Sequence, residues 1–289
     1  MSFIDLHCHS TASDGSLAPA DVVRLAKSAG VSAISLTDHD TVQGNREAAQ
    51  EAARLGIDFI TGIEISCEFR QPGTMHLLGY GIDPESTVLA ELSRELVGNR
   101  NDRNPRMVRL LNDLNVSVTM NEWEQEAGGT IVGRPHLAAI LVRKGYVSSV
   151  KHAFDKYLGQ GGLAYFDKEV IPPRRAVEMI IASGGVAVLA HPSQLRCGND
   201  AELVTTIKNL VDMGLGGVEV MHSDHDDAMV ARLAKIADRF DLLKTGGSDF
   251  HGHSKKHIDF GWSRGQRVPR NFFDALEARL KILREDVPC

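Results

Sequence analysis

Four cysteines, Cys8, Cys67, Cys197 and Cys289, are scattered along 289 residues with no Cys-x-x-Cys pair. That usage excludes a disulfide framework and a structural zinc ribbon. No apolar run approaches the about 20 residues of a membrane-spanning helix. The opening Met1-Ser2-Phe3-Ile4-Asp5 has neither the basic flank nor the apolar core of a secretory signal, so a cytoplasmic protein with no membrane partner is expected. Positive charge is scarce as well. With a formal net charge of -6 there is no overall basic field to hold long nucleic acid by counterion release. Fixed-period repeats and low-complexity tracts are absent, which excludes a solenoid. What remains is ordinary soluble composition, 43% hydrophobic and 24% charged. The length suits one α/β barrel with an insertion, since such barrels run to roughly 250 residues.

Short apolar runs at Phe3 to His9, Ala33 to Thr37, Phe59 to Ile65, Met75 to Tyr80, Val186 to Ala190, Gly217 to Met221 and Leu242 to Thr245 read as seven strands. Between the early ones, Val22, Leu25, Ala26 and then Ala48, Ala52, Leu55 fall at helical spacing. Repeated βα units predict a mainly parallel sheet closed into a barrel. One interval, residues 84–172, breaks the alternation. There Val88, Leu89, Leu92, Leu96 and then Met107, Leu110, Leu111, Leu114 follow the three-four helical step. The expected organisation is a barrel from 1–83 and 173–289 with an α-helical insertion over 84–172 that recognises substrate, hinged at Pro172-Pro173.

Of the twelve histidines, His7, His9, His39, His76, His191 and His251 stand at or just past predicted strand ends, where barrel enzymes keep their chemistry. His7 and His9 are two apart on one strand and project to the same face, while Cys8 points the other way into packing. Acids accompany them: Asp14, Asp38 and Asp40 around His39, Glu64 closing the third strand, and Asp249 two residues before His251. Mixed imidazole and carboxylate ligands suit zinc, manganese or iron(II) better than calcium or magnesium. The set exceeds one tetrahedron, so two or three divalent ions sharing a bridging carboxylate are expected, with Glu64 as the bridge.

Through His7-Cys8-His9, Thr37-Asp38-His39-Asp40, Gly62-Ile63-Glu64, His191-Pro192 and Asp249-Phe250-His251, the sequence resembles the polymerase and histidinol phosphatase (PHP) family. The resemblance implies a distorted seven-stranded (β/α)7 barrel of TIM-like form and a trinuclear site. It places the first ion on His7, His9, Glu64 and Asp249, the second on Glu64, His76 and His191, and the third on Asp14, His39 and His251. Asp14 stands where some members have histidine. Manganese is the expected metal, with zinc or iron(II) as substitutes. Asp38 and Asp40 are expected to orient His39 or to cap a turn, and Asp5 to lie deeper than the ligands.

Clustered divalent ions generate a hydroxide near neutral pH and clamp phosphoryl oxygens, which describes phosphate ester hydrolysis, with Asp249 among the catalytic groups. Cationic residues in the insertion support a phosphate ligand. Gly133-Arg134-Pro135-His136 sets an arginine at a helix start, and Arg100 and Arg103 precede it, so Arg134, Arg103, Arg100 and His136 are candidate substrate contacts. His222, just past the sixth strand, is a candidate general acid or phosphate contact. The insertion also resembles the family's nucleotide-directed subgroup, implying a 3′,5′-nucleoside bisphosphate or a short oligoribonucleotide as substrate. The alternatives are a histidinol-phosphate phosphatase and a metal-binding scaffold without activity. Nothing in the sequence sets an oligomeric state.

Overall fold

The computed structural model describes residues 2–70, 72–128, 132–166, 170–255 and 257–285. Seven strands form one sheet in chain order: β1 (Phe3–Asp5), β2 (Val31–Leu36), β3 (Asp58–Cys67), β4 (Met75–Tyr80), β5 (Val186–Leu189), β6 (Gly217–Met221) and β7 (Leu243–Gly246). Each overlaps a predicted strand. Pairing is parallel throughout except at β4, which runs antiparallel to both neighbours. That reversal follows from a short β3–β4 hairpin, which leaves no length for a crossover helix. Its consequence is functional: His76, second in β4, lies level with the C-terminal end of β3, where Ser66 faces it across the ladder.

The helices are α1 (Pro19–Ser28), α2 (Asn45–Leu55), α3 (Thr87–Asp113), α4 (Met120–Ala127), α5 (Arg134–Arg143), α6 (Val150–Ala153), α7 (Pro173–Ala182), α8 (Asp200–Val211), α9 (Asp227–Arg239) and α10 (Arg270–Glu285). Local chemistry sets their ends. Proline stands in the first turn of α1, α5 and α7, where its missing N–H costs nothing. Gly56 ends α2 at φ 60°, a left-handed cap that a side chain would strain. Thr119 and Glu122 close a reciprocal capping box on α4. Among the described residues no helix is long and apolar enough to cross a membrane.

Among the described residues, apolar side chains separate into three clusters. The largest lies within and around the sheet. A second, with Val22, Val23, Ala26, Ala48 and Ala52, packs α1 and α2 on β2. A third falls wholly within residues 107–164, around the fully buried Trp123. Helix α3 joins two of them: Leu89, Leu92 and Leu96 enter the sheet cluster, while Met107 and Leu111 enter the third. One continuous helix therefore couples the inserted segment to the sheet.

The first and last strands approach each other through the segments that follow them. Leu6 N donates to Gly246 O at 3.1 Å, Asp249 N to His7 O at 2.8 Å and His9 N to Phe250 O at 2.8 Å. Gly247 sits in this seam, where a Cβ would collide with the Cβ and backbone nitrogen of His7. Gly247→Ala should therefore cost about 1–3 kcal/mol of stability, the scale of forced overpacking. A urea melt that matches wild type would show that the seam is not tightly packed.

Candidate metal centre

Strand β1 ends at Asp5, so His7 and His9 lie beyond its regular pairing, in backbone kept extended by the seam and by a parallel bridge between Cys8 and Phe250. The alternation read from sequence persists there. Cys8 turns into the α1–α2 cluster and donates from Sγ to Ser35 O at 3.0 Å, and both histidine rings turn the opposite way and are fully buried. Asp5 lies beneath them as expected. It accepts from His7 N, Ser248 N, Ser248 Oγ and Gly261 N, tying the first strand to the segment that carries Asp249.

Glu64 occupies the middle. Its Oε1 is 2.8 Å from His191 Nε2 and 2.9 Å from His76 Nδ1. Its Oε2 is 3.0 Å from His39 Nδ1 and 3.3 Å from the Nε2 atoms of both His7 and His9. Asp249 Oδ1 lies 3.2 Å from His9 Nε2 and 3.7 Å from His7 Nε2. Asp14 Oδ1 is 3.3 Å from His251 Nε2, and Asp14 Oδ2 is 4.0 Å from His39 Nε2. All nine predicted ligands therefore converge. Ligand atoms lie within 4.8 Å of one another in the groups His7, His9, Asp249; His7, Glu64, His191; His39, Glu64, His76; and His9, Asp14, His39, His251. His76 and His191 fall in different groups although both reach the same Glu64 oxygen.

This donor set fits divalent cations. The Nε2 atoms of His7 and His222 and both ring nitrogens of His9 are buried without a hydrogen bond, a costly state that a shared ion relieves. Without an ion the carboxylates hold protons on the imidazoles instead. Burial opposes charge on His9, yet its contacts to Asp249 and Glu64 raise it to about 9. Burial likewise opposes charge on His7, which Glu219 and Glu64 hold well above the usual imidazole range. Against its own burial, Glu64 is pulled well below the carboxylate range by His39, His76 and His7. Three residues here also take backbone conformations that side chains disfavour: Asp40 at φ 58°, His191 at φ 24° and Asp249 at φ 59°. Strain of this kind persists where surrounding structure enforces it.

The predicted role of Asp38 resolves toward the loop it anchors. It accepts from Ser10 N at 2.8 Å, Ser10 Oγ at 2.7 Å and Ser13 Oγ at 2.5 Å, fixing the turn that presents Asp14. Asp40 accepts from Ser66 N at 2.8 Å and so ties the β2 end to the β3 end. Sequence reasoning missed Glu219. This fully buried carboxylate of β6 takes His7 Nδ1 at 3.0 Å with one oxygen and accepts from His191 N at 2.7 Å with the other. The available signal was an acid inside the apolar run Gly217-Val218-Glu219-Val220-Met221, since an ionised group in a buried strand requires partners.

Of the predicted substrate contacts, Arg134 and Arg103 line a cavity of 270 Å³ together with Asp14, His39, Thr74 and His76, so two guanidinium-bearing residues share a wall with three candidate metal ligands. Arg134 donates to Leu158 O at 3.1 Å, and Arg103 is nearly buried beside Asn104 Oδ1, 3.0 Å from its Nη2. His136 is placed differently. Its Nδ1 accepts from Gly133 N at 3.2 Å to cap α5, and it is not among the residues lining the cavity. Arg100 falls in α3, but its side chain lies outside the described residues. His222 is fully buried; its Nδ1 accepts from Asp224 N at 3.0 Å and its Nε2 is 3.5 Å from Asp249 Oδ2. The neutral ring therefore carries its proton on Nε2, facing the cluster.

Residues 5–223 match the family model described as PHP domain, and the chain belongs to that family. It is 35% identical to a phosphoribosyl 1,2-cyclic phosphate 1,2-diphosphodiesterase of Eggerthella lenta, over 89% of this chain and 97% of that one. It is 38% identical to a 5′-3′ exoribonuclease of Haemophilus influenzae, over 86% and 89%, and 33% identical to a 3′,5′-nucleoside bisphosphate phosphatase of Chromobacterium violaceum, over 97% and 98%. Among solved structures it is similar to a Chromobacterium violaceum protein described as an amidohydrolase with bound sulfate and no metal, at TM-score 0.85 and 32% identity, covering 96% of this chain and 97% of that one.

Two outcomes follow from this geometry. An ion must displace the proton that His9 holds below about 9, so Mn²⁺ affinity should rise with pH up to that value and binding should release protons. Calorimetry in buffers of different ionisation enthalpy reads the release, and an affinity flat from pH 6 to 9 would contradict it. Glu219→Gln should weaken metal binding by about 10- to 100-fold, the usual effect of losing a ligand's orienting partner. Unchanged metal content after dialysis would remove Glu219 from that role.

Proposed function

With membership of the PHP family as premise, we propose that this chain is a metal-dependent phosphoesterase that removes the 3′-phosphate of 3′,5′-nucleoside bisphosphates and also trims short RNA from its 5′ end. The observation that carries this reading is the cavity shared by Arg134, Arg103, His39, His76 and Asp14, which sets phosphate-binding cations beside candidate metal ligands. The names of the relatives support phosphoester substrates built on ribose. The substrate is a small nucleotide or RNA end rather than long nucleic acid, because the chain's net charge of -6 leaves only local cations to hold it.

Two or three divalent ions, manganese first with zinc or iron(II) as substitutes, would be held by His7, His9, Asp14, His39, Glu64, His76, His191, Asp249 and His251. Such ions lower the pKa of water and neutralise phosphoryl charge. The chain's own groups supply the rest. Arg134, steadied by Leu158 O and lying 5.4 Å from the Tyr165 ring centre, grips the phosphate that is not cleaved, with Arg103 behind it. His222, its Nδ1 engaged by Asp224 N, offers the Nε2 proton to the departing oxygen. That Nε2 has no hydrogen bond of its own and lies 3.5 Å from Asp249 Oδ2, on the side of the cluster.

The hydrogen bonds between the segments after β1 and β7 support reading the sheet as a distorted barrel closed at the end that carries the site. Residues 84–172 act in this reading as the recognition unit, since they contribute Arg103, Arg134 and Phe154 to the cavity. A cytoplasmic location suits such a substrate.

Assaying Mn²⁺-loaded protein against 3′,5′-adenosine bisphosphate, a 5′-phosphorylated short RNA, phosphoribosyl 1,2-cyclic phosphate and histidinol phosphate tests the reading. Bisphosphate turnover should yield adenosine 5′-monophosphate and phosphate, and chelator should abolish it. Arg134→Ala should raise its KM by roughly 10- to 100-fold, the scale of a lost charge-assisted hydrogen bond, with metal content unchanged. Metal-dependent release from none of these substrates sinks the enzyme reading, and release from histidinol phosphate alone hands the site to the small-monoester alternative.

A further inference from the structure

The cavity beside the metal centre does not stand alone. A second, of 280 Å³, shares Thr74, His76 and Arg134 with it and adds Tyr165, Cys67 and Phe69. A third, of 580 Å³, adjoins the second across Phe69 and Met75 and is lined further out by Arg70, Glu202, Thr205 and Asn209 of the β3–β4 hairpin and α8. The three form a row leading from His39 and His76 over the hairpin to the outer face of α8. Along it one motif occurs twice. Arg134 lies 5.4 Å from the Tyr165 ring centre, and Arg70 lies 5.6 Å from the Phe69 ring centre. Arg70 is also paired with Glu202, which holds its stem over the hairpin while half of the side chain stays exposed.

Repeated arginine and aromatic pairs suit one class of ligand. Single-stranded nucleic acid offers alternating phosphates and base faces, and its binding grooves combine cations for the backbone with rings on which bases stack. The amide group of Asn209 adds a donor suited to sugar and phosphate oxygens, whereas the Thr205 hydroxyl already donates to Ala201 O at 2.7 Å and can only accept. A further cavity of 510 Å³ near His222, lined by Trp262 and Arg264, sets two acids, Asp224 and Asp259, against that one arginine, whereas Glu202 is the single acid lining the cavity with Arg70.

We propose that the β3–β4 hairpin and α8 form a track for a single-stranded oligonucleotide, with its reacting phosphate at the metal centre and its following nucleotides passing Tyr165 and then Phe69 and Arg70. This rests on the phosphoesterase reading for the reacting end, and it goes further in assigning a distal subsite and a preference for oligonucleotide over mononucleotide. The chain's negative charge confines the track to a few nucleotides, so affinity rises over the first steps of length and then levels off.

Two measurements test it. Fluorescence anisotropy of a labelled single-stranded RNA pentamer should show binding weakened about tenfold by Arg70→Ala and by Phe69→Ala. Turnover of 3′,5′-adenosine bisphosphate by the same variants should stay within twofold of wild type. Phe69 packs partly against the core, so the exposed Arg70→Ala keeps the test valid if Phe69→Ala fails to fold. Equal pentamer binding by wild type and Arg70→Ala overturns the track and leaves the phosphoesterase reading standing. Wild-type pentamer binding that depends on Arg70, with no nucleotide turned over, sustains the track and sinks that reading instead.

Discussion

One carboxylate organises the centre of this molecule. Five imidazoles, those of His7, His9, His39, His76 and His191, have ring nitrogens within 3.3 Å of a Glu64 oxygen. They arrive from four separate stretches of chain, so the seam after β1, the end of β2, the reversed strand β4 and the end of β5 must all meet there. The requirement explains local features that would otherwise look incidental. Gly247 leaves room for His7 to approach. His191 accepts a strained φ while its N–H is held by Glu219.

Charge balance is the second constraint. Glu64, Glu219, Asp249 and Asp14 are buried or nearly so within one cluster, and buried ionised groups are stable only when paired. In the metal-free chain protons on His7 and His9 supply the pairing. Divalent ions would supply it too, and would also engage the ring nitrogens that have no hydrogen bond. Metal binding and proton release are therefore one equilibrium, and the same balance that stabilises the fold prepares the site for an anionic substrate.

The candidate substrate contacts lie in a different part of the chain. The candidate metal ligands come from the sheet and its loops, whereas Arg103 and Arg134 belong to the helical segment with its own apolar cluster. Helix α3 spans both cores, with Leu89, Leu92 and Leu96 in one and Met107 and Leu111 in the other. That shared helix fixes the arginines relative to the candidate ligands without making them part of that set.

Seven strands, the helical insertion and nine converging metal-ligand candidates were legible in the sequence, because strand alternation and the identity of imidazoles and carboxylates are local properties. The pairing of His7 with His9 on one face, and Cys8 on the other, needed only the two-residue period of extended chain. The reversal of β4 was not read from the sequence, although its signal was there: only residues 66–74 separate the third and fourth apolar runs, too few for a crossover helix. Glu219 stood out only as an acid in an apolar run; its partners, His7 and His191, are set once β6 lies beside them. His136 read as a phosphate contact from its place after Arg134, but the α5 N-terminus had an open backbone N–H and the ring turned to satisfy it. Sequence determined which chemical groups the site would contain. Tertiary structure decided their distances, their protons and which of them face a substrate, because those are set by segments far apart in the chain.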